Sequence, residues 1–532
     1  MQQAVTQKDR PTYCLGMEAI KSYGLEKWRK DFFMPFPRVF YYGLFERVLS
    51  AYAALFKEEL SEEVESILSV IARMVPKICH TYNLSLTEAF CVDRESRLIL
   101  SDGPSFDGRE TERIFSYLKG RRPINSVSAL KNWAIYTISF GRPNSARFAG
   151  PLIRLEKRFA KKGSYRLRPL DIRRLADPEY GIPDKLMGEI DFTIKRLRGA
   201  LLSLRDDFGS PSVSEGKIES MFSALKNEMV LASRLYLSAR ERFHREKKGS
   251  LFVAGTGNLI VRVIAKAFQD KGGVVTGFEH GNVLGLFYDP GYVLNDFLIS
   301  DKFIASTDGL EGFFRKLKDR YSYLPSADVA IGNADDDFYF NRWREERGKP
   351  AVDKVKKVMY IESPMNPVFP ARHNTLYYPL QLELSLRVLE ALKKRGYYVM
   401  MKIRSSRLKE TEAGGIYRDY ADEIVGGKFE EAAEAADAYI FPHLFTTTLG
   451  HVLPGHKRIV YLLYEEERFI PKRLELLNRR CNAVRCNFDE RQRIVFNENE
   501  LVEAVEKSSG DYNTDFLREY LVSERNKEIC AA

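Results

Sequence analysis

Between Glu58 and Met74 apolar residues recur at near-helical spacing behind Ser61, which predicts a helix entering at Glu62 with that serine as its cap. A second helical stretch runs from about Glu215 to Lys248, where Ile218, Met221, Phe222, Leu225, Met229, Leu231 and Leu235 form one broad apolar stripe. At Ser250 the period changes. Leu251–Ala254 reads as a short strand, Gly255-Thr256-Gly257-Asn258 as a turn, and Leu259–Gln269 as an amphipathic helix stopped by Gly272-Gly273. Val274–Phe278 and Lys302–Ser306 follow as strands, then Leu310–Leu317 as a helix and Ala327–Ile331 as a strand. A charged stretch containing Pro350, residues 341–356, breaks the alternation and reads as a linker. Beyond it come a strand at Val358–Ile361, a helix at Leu380–Arg395, and a strand at Tyr397–Ile403. A helical Ala432–Ala436 and strands at Ala438–Pro442 and Arg458–Leu463 complete the run.

Strands alternating with helices at this spacing make βαβ units and parallel sheets. The expected fold is α/β with two Rossmann-like halves. A mainly helical, basic region at 1–249 packs on the first half at 250–340. A linker at 341–355, the second half at 356–510, and a C-terminal helix and tail at 511–532 complete the chain. No internal repeat or low-complexity block interrupts this plan.

Composition removes several classes. Of 532 residues, 44% are hydrophobic and 29% charged, which excludes a wholly disordered chain, a collagen and a coiled-coil rod. The net charge of +10 admits an anionic partner without selecting one. Nine of those cations fall between Arg154 and Arg174, against Glu156 and Asp171. Six cysteines, none in a CxxC pair, point to a reduced location. With no apolar h-region at the start and no run of 18 apolar residues, the expected place is cytoplasmic, with any membrane association peripheral and on the inner face.

Four segments carry candidate chemistry. The turn Gly255, Thr256, Gly257, Asn258 offers free backbone N–H groups at a helix start, suited to phosphate. It equally reads as a tight turn with Asn258 as N-cap. As a dinucleotide fingerprint it lacks the third glycine, since position 260 is Ile260, although Glu279 stands near where a ribose-binding acid belongs. The second segment places Glu279, His280, Gly281 and Asn282 directly after a strand, where a parallel sheet presents its ligands. His280 has a side chain whose proton moves near neutral pH, and it is the first choice for chemistry; a structural loop histidine is the plain alternative. The third segment ends a strand with Lys402 and Arg404, cations able to meet phosphate or carboxylate, or simply solvated. In the fourth, Thr446, Thr447 and Thr448 precede Gly450 and His451; one threonine suffices as a cap, and three in a row suggest an anion site. No acidic or cysteine partner gives His443 or His451 a metal-ligand spacing, so no metal is expected.

In their order, FEHGN (278–282), SDKFIAST (300–307), MMKIRSS (400–406) and TTTLGHVLPGHKRIVYL (446–462) resemble the GT-B glycosyltransferases. The resemblance is to bacterial cell-surface polysaccharide transferases with an HG turn in one half and a TTxxE-type helix start in the other. It covers about residues 250–465. The chain has Gly450 and His451 where that family carries a glutamate, and Arg458 after Lys457 where it carries proline. A more distant similarity, through the same HG turn, is to CDP-glycerol phosphotransferases.

The resemblance implies a GT-B-like glycosyltransferase with a nucleotide-sugar donor on the second half, its phosphate near Thr446–Thr448, Lys402 and Arg404. It implies a saccharide or lipid-linked acceptor on the first half, with His280 as general base, Glu279 beside it, no cofactor and no metal. The basic block 154–174 would face an anionic membrane surface, and no specific nucleic acid is expected. Three other readings compete: a non-catalytic GT-B-like binding protein at a membrane or anionic partner, a CDP-alditol-type phosphotransferase, and an oxidoreductase resting on GTGN and Glu279.

Overall fold

The alternating strands form parallel-dominated sheets in an α/β fold. The computed structural model describes residues 12–531 except 16, 35, 94–96, 101–143, 150–153, 164, 171–174, 208–214, 244–248, 254–255, 280–283, 326–328, 363–377, 404–411, 445, 465 and 509–512. Gly255, His280, Gly281, Asn282 and Arg404 therefore lie outside the described residues.

Two short strands, β1 (Thr12–Leu15) and β2 (Arg97–Leu100), pair in parallel by themselves. The first large sheet holds β3 (Asn144–Ala149), β4 (Tyr165–Pro169), β5 (Ser250–Val253), β6 (Val274–Phe278), β7 (Lys302–Ala305) and β8 (Ala330–Asn333). Its order is β4-β3-β5-β6-β7-β8, all neighbours parallel. The second holds β9 (Lys357–Ile361), β10 (Tyr398–Lys402), β11 (Glu423–Val425), β12 (Ala438–Phe441), β13 (Arg458–Leu463), β14 (Asn482–Phe488) and β15 (Ile494–Phe496). Its order is β11-β10-β9-β12-β13-β14-β15, parallel except for the antiparallel edge strand β15. Counted from β9, the six parallel strands run 3-2-1-4-5-6, the order of a doubly wound sheet.

Both faces of the second sheet are buried, as a parallel sheet requires. Val358, Tyr360, Val399, Met401, Ile440 and Val460 point into one apolar core; Met359, Met400, Tyr439, Phe441, Ile459 and Tyr461 point into another. This second core is continuous with that of the first sheet, through Leu251, Val253, Val275 and Phe303. An apolar interior therefore joins the two sheet units.

Four features differ from the sequence expectation. First, β3 and β4 extend the first sheet, although the region before residue 250 reads as helical; NSARFA carries little apolar signal, and the alternation in YRLRP runs for only five residues. Second, the segment carrying Ile20, Trp28, Phe32 and Met34 packs on the second sheet rather than the first, where Arg29 grips Glu390 at 2.6–2.8 Å. Third, residues 341–346 are not linker: they belong to a helix, Phe338–Glu346, which buries Phe340 and Trp343. Fourth, Ser61 precedes the helix Glu62–Ile71 as foreseen, but its hydroxyl donates to Glu189 at 2.5 Å instead of capping.

The basic block also finds a place. The helix Arg154–Lys162 buries Leu155 and Ala160 against Phe252, Phe278, Ile304 and Ala334 of the first sheet unit. Its Arg158 pairs with Asp336 and Asp337 at 3.2 and 2.5 Å, and its Lys162 with Asp335 at 2.6 Å. Two cations of the block are thus neutralised within the fold, while Lys157 and Lys161 stay exposed. Among the described residues no helix is long and apolar enough to cross a membrane.

One buried group yields a pH prediction. His80, in the helix Val75–Asp93, is 3% exposed, with no hydrogen-bond partner for either ring nitrogen among the described residues, and burial pushes its pKa down to about 4. A base with a depressed folded-state pKa contributes stability that is intact above the unfolded value of about 6.5 and is lost as pH falls toward 4. Full protonation would cost on the order of 3 kcal/mol. His80→Leu should therefore show a smaller fall in melting temperature between pH 7 and pH 4.5 than the parent chain. An identical fall in both would assign the acid sensitivity elsewhere.

Candidate functional site

Strand order determines where a ligand crevice can lie. In doubly wound sheets it opens at the carboxyl ends of the strands, where the order reverses. In the second sheet that point falls between β9, ending at Ile361, and β12, ending at Phe441. In the first sheet it falls between β3 and β5, directly before Thr256-Gly257-Asn258.

The GTGN turn is heavily tied down. Asn258 caps the helix Leu259–Asp270, its side chain accepting from Ile260 N at 2.8 Å. Thr256 is buried and donates to Asp296 at 2.5 Å. Gly257 O accepts from Arg73 at 3.2 Å, and Arg73 forms a buried ion pair with Glu228. Ile260, where a dinucleotide fingerprint needs glycine, is a buried helix residue.

Glu279 ends β6 in a buried position. Its backbone N donates to Ile304 O at 2.9 Å, and its Oε2 accepts from Ser306 Oγ at 2.6 Å and Ser306 N at 3.3 Å. Ser306 O in turn accepts from Asp336 N at 2.7 Å. The carboxyl ends of β6, β7 and β8 are thereby laced together. After His280, Gly281 and Asn282 the description resumes at Leu284 and Gly285, whose φ values of 48° and 66° are left-handed. Glycine suits that geometry, and leucine adopts it at a cost.

Around the second crevice, Thr446 caps the short helix Thr447–Val452. Its hydroxyl accepts from Thr448 N at 3.3 Å and shares a 2.6 Å hydrogen bond with the Thr448 hydroxyl, while Thr447 is exposed. Lys402, at the end of β10, is buried, and burial lowers the pKa of its ammonium. Nζ donates to Ile403 O and Gly427 O, both at 3.0 Å. Two of its three protons therefore serve the loops that end β10 and β11. His451 lies against the rings of Phe338 and Phe429, and burial, then Arg342, lowers its pKa. It is held neutral.

The two sets of candidates meet. At Gly450 a Cβ would lie 2.8 Å from Tyr339 Oη and 3.0 Å from Leu284 Cδ2. Leu284 and the threonine helix therefore meet at the seam of the two sheet units. Gly255, His280, Gly281, Asn282 and Arg404 belong to these segments without being described. Thr256, Gly257 and Asn258 lie at the first sheet's own crevice, and among the described residues their hydrogen bonds run to Asp296, Arg73 and Ile260, away from the second-sheet candidates. Ser306, Tyr339, Asp336 and Arg473 are the residues that sequence reasoning did not single out; Ser306 falls within SDKFIAST (300–307), the other three stand in no motif, and Arg473 reads as an ordinary helix cation. Among the described residues no group of three or more His, Cys, Asp or Glu side chains could hold a metal ion.

No protein-family model matches the chain, and no curated protein does. Function must therefore be argued from the site itself.

Gly450→Val tests the seam. The added side chain would press on Tyr339 and Leu284, and overpacking of this kind typically costs about 1–3 kcal/mol. The variant should unfold at lower denaturant concentration than the parent with the same denaturant slope; an unchanged midpoint would mean the seam opens freely.

Proposed function

We propose that this chain is a glycosyltransferase of GT-B-like architecture, moving a sugar from a nucleotide-activated donor to a cell-envelope polysaccharide or glycolipid acceptor. The observation that carries the reading is the approach of Leu284, which follows the carboxyl end of β6 in the chain, to Gly450 in the helix that follows the carboxyl end of β12. In this reading the donor nucleotide lies in the second-sheet crevice, its diphosphate against Thr446, Thr447 and Thr448 and near Lys402 and Arg404. The acceptor approaches beside His280. As the acceptor oxygen bonds to the anomeric carbon, the bond from that carbon to the donor phosphate breaks and His280 takes the hydroxyl proton. Glu279, the residue before His280 in the chain, is held in place by Ser306. Oriented amides and cations offset the charge on the departing diphosphate, chemistry that calls for no cofactor.

A second reading is favoured by specific contacts. Lys402 spends two protons on backbone carbonyls, Thr446 and Thr448 bond to each other, and Gly450 replaces an acid of the resembled family. These suit a non-catalytic GT-B-like protein that binds a membrane or another anionic partner. Lys157 and Lys161 on the helix Arg154–Lys162 remain available for such a surface.

Thermal shift with CMP, CDP, UDP, GDP and NAD separates the readings, because a ligand that binds only the folded state raises its melting temperature. The transferase reading expects one nucleotide to act and NAD to be inert. No response to any nucleotide, together with salt-sensitive flotation on anionic but not neutral liposomes, would support the binding protein.

His280→Ala is the sharper test. It should lower turnover by about 10² or more while leaving the nucleotide-induced thermal shift intact. Near-parental turnover would remove His280 as the base, and loss of the thermal shift alone would put the donor on the first sheet.

A further inference from the structure

Arg473 belongs to the helix Pro471–Asn478, which follows β13 of the second sheet, yet its guanidinium is buried among groups of the first-sheet unit. Nη1 donates to Leu284 O at 3.4 Å and Nη2 to Gly309 O at 3.1 Å. The guanidinium carbon lies 3.8 Å from the ring centroid of Tyr520 and 5.1 Å from that of Phe313. Two neighbouring contacts reach the same way: Ile470 N donates to Leu286 O at 2.9 Å, and the rings of Phe469 and Phe287 meet edge to face at 6.0 Å. A Cβ on Gly285 would run into Arg473 Nη1. The stretch Leu284–Phe287, chemically part of the first-sheet unit, is thus gripped along its length by the second.

We propose that Arg473 is a positioning residue that makes Leu284–Phe287 move with the second sheet, so that occupancy of the second-sheet crevice is transmitted to this stretch of the first-sheet unit. The functional meaning of this coupling rests on the transferase reading; the coupling itself does not. The guanidinium suits the task because its fork reaches two carbonyls on separate elements while its flat face stacks on a ring. Separating the two units would leave a buried cation and two carbonyls without partners together, so the contacts break as a set. A lysine offers a point charge and cannot reproduce both the fork and the stack.

Amide hydrogen exchange on the full chain tests this, comparing the parent with Arg473→Met, Arg473→Lys and Gly285→Ala. The last variant attacks the same contact from the opposite side and guards against a methionine variant that fails to fold. In each folded variant, exchange at Leu284–Phe287 should rise about tenfold or more while the amides of β5, β6, β9 and β12 change by less than about twofold, as expected for a local opening. Unchanged exchange at Leu284–Phe287, or equal acceleration across both sheets as a merely structural residue would give, overturns the proposal. With UDP, CDP or GDP added, the parent should gain protection at Thr446–Gly450 and Leu284–Phe287 together, and Arg473→Lys at Thr446–Gly450 alone. Protection confined to Thr446–Gly450 in the parent overturns the coupling and leaves the nucleotide reading standing. Protection nowhere with any of the three removes the nucleotide reading, and the unliganded comparison then decides the coupling.

Discussion

A buried guanidinium satisfied by backbone carbonyls is the interaction on which this architecture rests. Arg262 is fully buried and donates to Ser69 O and Val70 O, near the end of the helix Glu62–Ile71. It also donates to Leu294 O and Asn295 O, at the end of the helix Pro290–Asn295. The last carbonyls of a helix have no partner within it and carry its partial negative charge. One side chain with five donors in a fixed fork therefore closes two helix ends at once. Without it, four carbonyls of the interior would need other partners, each at the cost of a desolvated polar group. Arg458 repeats the device at Val505 O and Glu506 O, ending the helix Glu498–Glu506, and Arg480 at Leu453 O, Gly455 O and Lys457 O beyond the threonine helix.

The same device takes several cations of this basic chain away from water. Arg262, Arg458, Arg473 and Arg480 all lie in the interior, and each lends its protons to the main chain. Buried acids match them: among the described residues Glu228, Glu279, Asp289, Asp296, Asp336, Glu346 and Glu383 are as deeply placed, so burial by itself does not lower the positive balance. The densest cationic run is reduced by Asp335, Asp336 and Asp337.

What could be read from the sequence follows from the range over which each signal acts. Val274–Phe278, Arg458–Leu463 and the Leu259 helix are local periodic patterns, and the structure has them at or within a residue of the expected bounds. Asn258 and Thr446 are caps whose hydrogen bonds reach only two residues ahead. Residues 144–149 and 165–169 are short and carry arginines; β3 forms against the edge of β5, and β4 against the edge of β3. The placement of Trp28 against the second sheet depends on partners hundreds of residues away. At the site, strand ends were legible because sheets present them by rule. The internal use of Lys402 was not, since Gly427 O becomes its acceptor only once β10 and β11 pair.

The exchange of chain ends between the units bears on how the protein is made. The leading segment docks on the second sheet, joined by the Arg29–Glu390 pair across 361 residues. The trailing segment docks on the first, where Thr307 donates to Tyr520 O across 213 residues. A ribosome emitting this chain from its first residue therefore cannot finish either unit in turn. Trp28 and Phe32 wait for a sheet not yet synthesised, and the first sheet stays partly uncovered until Tyr520 emerges. Such long-range closure slows folding and prolongs the exposure of apolar surface. Severing the chain near residue 350 would yield two fragments, each retaining a piece of the other's interior.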